Sequence, residues 1–352
     1  MILKYIKSKI EWEFWPTWLA NIPVGLFWLY FSIRARHLFF FSTVNHQFEN
    51  GAMMGASKRN ILQHIPPQYL PKTIFLKKDE LVLKRILEEI KAQDLSFPLI
   101  AKPDIGERGL LVELIKSEKE LTAYIQANKI NFLIQEYITH PNEVGIFYYR
   151  NPSQLNGEIV SVALKDFLSV TGDGTNNIKA LLEIHQMGRL QIDRLSKVDH
   201  TMLLNIPRKG EKILLEPIGN HCRGTRMLNG NHLIDDKLKS TFDQINSSMP
   251  DVYYGRFDIK YKSWERLLDG KDFKIIELNG VASEPMHVYD RSIAVVDKYR
   301  AFYHLWKKIY EISQVQRAKG IKPISFTEAI GYIRNYFKYI RSINLEWRAL
   351  IA

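Results

Sequence analysis

The chain has 352 residues, 46% of them hydrophobic and 25% charged, which excludes long disorder, collagen and a disulfide-stapled miniprotein and suggests about two domains or one fold of several lobes. Its formal net charge of +11 sits at the ends: residues 1–72 carry eight Lys/Arg against three Asp/Glu, residues 301–352 carry nine against three, and the stretch between has 32 of each. A neutral middle argues against a nucleic-acid partner. The lone cysteine, Cys222, excludes an intrachain disulfide and a thiolate metal cage and fits the cytoplasm.

From Phe14 to Ile33 there is no charged residue, and Trp12, Trp15, Trp18 and Trp28 are four of the seven tryptophans. Twenty uncharged residues are just enough to cross a bilayer, but Pro16 and Pro23 break such a helix. Tryptophans with Lys4, Lys7, Lys9, Arg34 and Arg36 on either side suit a segment lying in an anionic membrane surface. Two short helices packed on the protein's own body, and a true span, are the alternatives. No small-residue cleavage site follows the apolar run, so a signal peptide is not expected.

After residue 72 strands and helices alternate. Leu81, Val82, Ile86, Leu87 and Ile90 have helical spacing, Phe97 to Ala101 and Leu110 to Ile115 read as strands, and Ser117 with Glu120 is a capping-box pattern opening a helix through Leu121, Tyr124 and Ile125. Further strands are expected at Phe132 to Glu136, Val144 to Tyr149, Ile213 to Leu215, Tyr254 to Lys260 and Phe273 to Leu278. Residues 301–352 read as helical, with Ile330, Ile333, Phe337 and Ile340 as an apolar stripe beside Arg334, Lys338 and Arg341.

Three motifs carry chemistry. In YYGRFDIK and FKIIELNG, strand alternation puts Arg256 and Asp258 on one face, and Glu277 and Asn279 on one face. Two carboxylates and an amide oxygen on neighbouring strands are hard ligands suited to Mg²⁺ with bound phosphates; the plain alternative is a solvated sheet face. In FPLIAKPDIGERGLL a strand delivers Lys102 to a loop with Gly106, Arg108 and Gly109, where backbone N–H groups can approach phosphate oxygens. The spacing fits neither a P-loop nor a dinucleotide fingerprint. FLIQEYITHPNEVGIFYY offers a hinge with backbone polar groups for an adenine edge and Glu143 for ribose hydroxyls.

Lys102 with its glycine loop, then Gln135-Glu136-Tyr137-Ile138 with Glu143, then Arg256-Phe257-Asp258 and Glu277-Leu278-Asn279 follow the layout of an ATP-grasp enzyme. Over about residues 58–290 the chain resembles D-alanine:D-alanine ligase, glutathione synthetase and the ATP-grasp part of cyanophycin synthetase. The resemblance implies an α+β ATP-grasp fold, two lobes clasping a nucleotide, flanked by an aromatic-rich N-terminal segment and a helical C-terminal tail. The division it suggests is an N-terminal segment 1–57, a small lobe 58–150, a large lobe 151–300 and a tail 301–352.

By the same resemblance the cofactors are ATP and two Mg²⁺ ions, for which Mn²⁺ can substitute. Lys102 contacts the phosphates, Gly106, Arg108 and Gly109 close over them, the backbone of Glu136 and Ile138 meets adenine, and Glu143 meets ribose. Asp258, Glu277 and Asn279 hold the metal, and Arg256 steadies the transferring phosphate. Lys165, leading to Val170-Thr171-Gly172-Asp173-Gly174, and Arg223, in Asn220-His221-Cys222-Arg223-Gly224, line the acceptor and phosphate side. The implied activity joins a small-molecule, peptide or glycan carboxylate to an amine through an acylphosphate, releasing ADP and phosphate. An ATP-grasp phosphotransferase and a membrane-peripheral nucleotide-binding protein without turnover are the alternatives. The family's usual N-terminal Rossmann-like lobe is not matched: about seventy aromatic-rich residues stand in its place, which leaves the substrates and the oligomeric state open. The basic, aromatic ends are expected to touch an anionic membrane at its inner face.

Overall fold

The computed structural model describes Trp12 and residues 15–128 and 130–343. Lys4, Lys7, Lys9 and Phe14 of the expected surface segment lie outside them. Pro16 and Pro23 do break the apolar run, but they do so by starting helices: α1 (Thr17–Ala20) follows Pro16, and α2 (Ile22–Ala35) carries Pro23 in its first turn, where the missing N–H costs nothing. No helix among the described residues is long and apolar enough to cross a membrane.

The short helix α3 (Lys58–Leu62) opens where Ser57 Oγ accepts from Asn60 N at 3.2 Å. It leads into β1 (Thr73–Leu76), α4 (Leu83–Ala92), β2 (Leu99–Pro103), β3 (Glu113–Ile115), α5 (Glu118–Ala127) and β4 (Phe132–Glu136). The strands form an antiparallel sheet in the order β1-β4-β2-β3, and Ile86, Ile90, Leu121 and Tyr124 from the helices pack on Ile74, Leu99 and Ile134. The strand expected from Leu110 begins only at Glu113, because Leu111 turns back at φ 51° and Leu110 is buried elsewhere. The expected capping box is half formed. Ser117 Oγ accepts from Glu120 N, while the Glu120 carboxylate accepts from Lys116 N at 2.7 Å.

The larger sheet begins with β5 (Asn142–Tyr149) and β6 (Glu158–Asp166). An excursion follows, in which β7 (Ser169–Thr171) pairs with β8 (Lys212–Leu214) around α6 (Ile178–Ile184), α7 (Ile192–Val198) and α8 (His200–Leu204). Next come β9 (Arg226–Asn229), α9 (Asp236–Ser247), β10 (Tyr254–Tyr261), α10 (Trp264–Leu268) and β11 (Phe273–Asn279). The order is β11-β10-β5-β6-β9, antiparallel throughout. Because β4 closes the small sheet and β5 already pairs with β10, the chain passes between the lobes at residues 137–141.

Period-2 alternation gives the large sheet two unlike faces. Phe257 and Ile259 point to a core built with Leu238, Phe242 and Ile245 of α9. On the opposite face, Tyr254, Tyr149 and Phe147 are covered by α2 and by the long helix α11 (Val295–Ala318), whose Leu305, Ile309 and Ile312 are buried there. Further along that second face the aromatic cover stops, and Arg256, Asp258 and Lys260 meet the interlobe cleft. The N-terminal segment therefore packs on the sheet and forms the end wall of the cleft. The helical tail is α11 and α12 (Phe326–Ser342); α12 opens with a complete capping box of Ser325 and Glu328.

Candidate active site

A cleft of about 490 Å³ lies between the two sheets. Of the thirteen residues the sequence singles out, it brings twelve together: Lys102, Gly106, Arg108, Gly109, Glu136, Ile138, Glu143, Lys165, Arg256, Asp258, Glu277 and Asn279. Arg223 is the exception.

The large-sheet wall follows from strand register. Asp258 stands opposite Glu277, and Arg256 opposite Asn279. Gly145 is the partner of Asp258 on the other side, and a Cβ there would lie 3.2 Å from the Asp258 carboxylate and 2.5 Å from Met286, so glycine makes room for both. Arg256 Nε donates to Asp258 Oδ1 at 3.0 Å, and Lys165 Nζ lies 3.7 Å from Oδ2 and 2.5 Å from Glu143 Oε1. Lys260 Nζ is 3.7 Å from the other Glu143 oxygen. Burial works to raise the Asp258 pKa, but Arg256 and Lys165 outweigh it and hold the carboxyl below its usual range. Conversely, burial opposes the charge of Lys165, yet Asp258 and Glu143 keep its pKa above that of an ordinary lysine. These five groups carry three positive charges and two negative ones.

The opposite wall comes from the small lobe. Lys102, buried at the end of β2, donates to Gln135 Oε1 at 3.0 Å and to the carbonyl of Ile276 at 2.9 Å. That carbonyl is available because a bulge follows Asp258 in the β10–β11 ladder, leaving Ile276 without a paired residue. Desolvation pulls the Lys102 pKa down to about 8, against the opposing pull of Glu277. Beside it the glycine loop turns at Arg108 (φ 53°) and Gly109 (φ 73°).

Sequence reasoning passed over several cleft residues. Lys58, at the start of α3, donates to the Gly106 carbonyl at 2.6 Å and lies 3.9 Å from Glu277 Oε1. It is placed there by a long-range knot in which Ser57 Oγ and Arg59 N both donate to Asp104 Oδ1. Lys260 could have been found by extending the Arg256/Asp258 alternation one more step, and Gln135, named within its motif, is given its part only by the bond from Lys102. Trp12, Trp15 and Tyr289 complete the end wall, with Met53, Met54 and Met286 beside them.

Arg223 is used differently from its expected place on the phosphate side. Its Nη2 donates to the Gly109 carbonyl at 3.0 Å and the Val112 carbonyl at 2.6 Å, and its Nη1 lies 3.7 Å from Glu216, which Arg194 approaches at 2.7 Å. It ties the large lobe to the glycine loop from behind. Two bonds from a charged donor contribute about 1.5–3 kcal/mol each. Arg223→Ala should therefore speed amide hydrogen exchange in residues 106–112 by about tenfold or more, read by mass spectrometry, with β10 and β11 unaffected.

The donor set has the chemistry of a divalent-ion site. Asp258, Glu277 and Asn279 share the cleft face of two paired strands, and among the described residues the Glu277 carboxylate has a cation within 4 Å only in Lys58, with Lys102 and Arg256 farther off. The Asn279 Nδ2 atom is buried without a hydrogen-bond partner, as for a side chain oriented by its oxygen toward something else. Two carboxylates and one amide oxygen are a hard-cation set, so the residues fit Mg²⁺. Among the described residues no three His, Cys, Asp or Glu side chains converge on a metal position, so any such ion relies on the amide and on phosphate or water oxygens.

Two antiparallel lobes with a lysine and glycine loop facing a carboxylate pair follow the α+β ATP-grasp layout that the sequence resembles. Residues 61–154 match the family model described as the RimK-like ATP-grasp domain, so the resemblance read from the sequence holds. The glutathione biosynthesis bifunctional protein GshAB of Streptococcus agalactiae (serotype V) is 25% identical over 215 residues, covering 54% of this chain and 28% of the relative. The chain thus spans little more than a quarter of the length of that protein. Among solved structures, the VanG D-Ala:D-Ser ligase from Enterococcus faecalis is similar with a TM-score of 0.44 at 12% identity, over 75% of this chain and 63% of the ligase. The D-alanine–D-alanine ligase from Bacillus anthracis has a TM-score of 0.43 at 15% identity, over 77% and 71% respectively.

Proposed function

We propose that the protein is an ATP-dependent ligase that joins a carboxylate to an amine through an acylphosphate. One juxtaposition carries the reading: within an ATP-grasp fold, Asp258, Glu277 and Asn279 of the large sheet share a cleft with Lys102 and the glycine loop of the small lobe. In this reading the triphosphate lies between Lys102 and Arg108 on one side and the Arg256–Lys165 pair on the other. The backbone of Glu136 and Ile138 receives adenine, and Glu143, bonded to Lys165 and 3.7 Å from Lys260, is the carboxylate set for the ribose. Asp258, Glu277 and Asn279 would hold Mg²⁺, with two ions in our reading and Mn²⁺ able to replace them; a cation held there would offset the negative charge of the phosphates.

A substrate carboxylate oxygen attacks the γ-phosphorus while the bond to the β,γ-bridging oxygen breaks, so ADP leaves and an acylphosphate remains. Arg256 offsets charge on the group in transfer. An amine nitrogen then attacks the acyl carbon, the bond from that carbon to the phosphate oxygen breaks, phosphate leaves with the electron pair, and the new amide loses its proton to solvent. No protein nucleophile is required. We place the reaction in the cytoplasm, where ATP is supplied and Cys222 stays reduced.

Nucleotide analysis after incubation with panels of amino acids and peptides tests this. ADP should accumulate beyond one equivalent per protein only when both a carboxylate and an amine are present. AMP with pyrophosphate would sink the ligase, and a phosphorylated product that survives added amine would mark a phosphotransferase.

The Lys102 amine supplies a pH test. A phosphate binds the protonated amine better, so the free-protein pKa of about 8 sets where affinity begins to fall. ATP affinity should be level below that pH and weaken above it, by up to about tenfold per pH unit, until the raised pKa of the complex is passed. Lys102→Arg, charged throughout, should flatten this limb of a titration calorimetry series.

A further inference from the structure

The helix α2 is apolar on two sides, and the core uses one of them. Phe31 and Ala35 are buried, and the rings of Phe27 and Phe31 pack on Tyr303 of α11. On the opposite side Ile22, Leu26, Leu29 and Ile33 recur every three to four residues and stand open, Leu26 60% and Ile33 69% exposed, and Trp18 of α1, 70% exposed, precedes them at the same spacing. A continuous apolar stripe of this length on a folded surface marks a docking face.

A second stripe lies on α12, where Phe326, Ile330, Ile333 and Phe337 are exposed, Phe326 at 65%. The two stripes meet at a corner. The Phe39 ring is 6.2 Å from that of Phe326, Leu38 beside it is exposed, and Ile324 N donates to Ser42 Oγ at 3.0 Å.

We infer that these two helices seat the protein on an anionic lipid bilayer. Charge selects this occupant over another protein. No Asp or Glu occurs from residue 14 to 48, and α12 has only Glu328, which is engaged in its own cap. Arg34, Arg36, Arg334, Lys338 and Arg341 are exposed beside the stripes, and the chain's whole excess of positive charge lies in the terminal segments that form them. Apolar stripes bordered by cations, with a tryptophan at one end, are the chemistry of interfacial helices. The surface also adjoins the cleft. Trp15, Thr17 and Ala20, just before or within the start of the first stripe, line the cleft wall. The other side of α12 holds the glycine loop, where Tyr336 OH donates to Glu107 and Tyr339 OH donates to the Ile105 carbonyl at 2.7 Å. Docking puts the end wall of the cleft beside the lipid and does not depend on which reaction the cleft performs.

The experiment is cosedimentation of the full chain with vesicles of phosphatidylcholine alone or mixed with phosphatidylglycerol. Binding to the mixed vesicles, weaker binding to neutral ones, and partial release by salt are expected. The double variant Leu26→Glu/Ile33→Glu and, separately, Phe326→Glu/Phe337→Glu should each lower partitioning by about tenfold or more with circular dichroism unchanged. Should a variant unfold, the native chain reads the same contact: brominated acyl chains should quench a fluorescence component that Trp18→Phe removes. A chain left in the supernatant with anionic vesicles, variants that bind like the native chain, or no quenching would overturn the inference. So would a dimer in sedimentation equilibrium that Leu26→Glu/Ile33→Glu separates, since the stripe would then belong to a second copy.

Discussion

Replacing Glu277 by glutamine should lower ATP turnover about a hundred- to a thousandfold while leaving thermal unfolding unchanged. The two halves of this expectation have different sources. Structurally the carboxylate is cheap to lose, because its side chain is 34% exposed to the cleft and its one ion pair among the described residues, to Lys58, is as long as 3.9 Å. Functionally it is the one acid of the cluster not already neutralised at short range, so it is the natural place for an added cation. A further sign separates loss of charge from loss of shape. Glu277 raises the Lys102 pKa, so Glu277→Gln should move the high-pH loss of ATP affinity to lower pH. Calorimetry over pH 6.5–9.5, paired with a melting curve, reads both.

Asp258→Asn should behave in the opposite way on stability. Arg256, Lys165 and Lys260 are held among two carboxylates in a buried cluster, and removing one leaves three cations with Glu143 alone. Losing one partner of a buried pair costs about 3–5 kcal/mol. Urea unfolding at pH 7 should show that loss. The Asp258 pKa is lower folded than unfolded, so its stabilising effect is full above the unfolded value of about 3.9 and is lost as pH falls through the folded value. The gap between the two proteins should therefore close in acid. Activity falls in both variants, but only Asp258→Asn should lose stability. Equal destabilisation of the two would mean that Glu277 is structural as well.

Much of this site was legible because strand alternation is a local rule. Arg256, Asp258, Glu277 and Asn279 share a face by periodicity alone, and the apolar residues between them identify which face is core. The same rule reaches Lys260. Lys58 is of another kind: nothing near it in sequence marks it, since its place depends on Asp104, forty-six residues away, accepting from Ser57 and Arg59. Arg223 shows a related limit. Its residue type suits a phosphate, and only the contact between lobes reveals that its guanidinium is taken by two carbonyls of the glycine loop. The N-terminal segment was ambiguous because the same aromatic composition serves burial and a lipid surface, and α2 presents one side to each environment the sequence allowed, a core on one side and an open stripe on the other.

That segment also bears on the substrates. Trp12, Trp15 and Tyr289 close the end of the cleft. An acceptor with an apolar body next to its carboxylate or amine suits such a wall better than a small, fully charged amino acid.

The most direct measurement is a trapping reaction with hydroxylamine standing in for the unidentified amine. The protein is incubated with ATP, Mg²⁺ and a panel of carboxylates, and phosphorus NMR and hydroxamate formation are followed together. The proposed ligase should give ADP, inorganic phosphate and hydroxamate in equal amounts, with all three suppressed in Glu277→Gln. AMP with pyrophosphate, or ATP consumed at the same rate with no hydroxamate from any carboxylate, would contradict it.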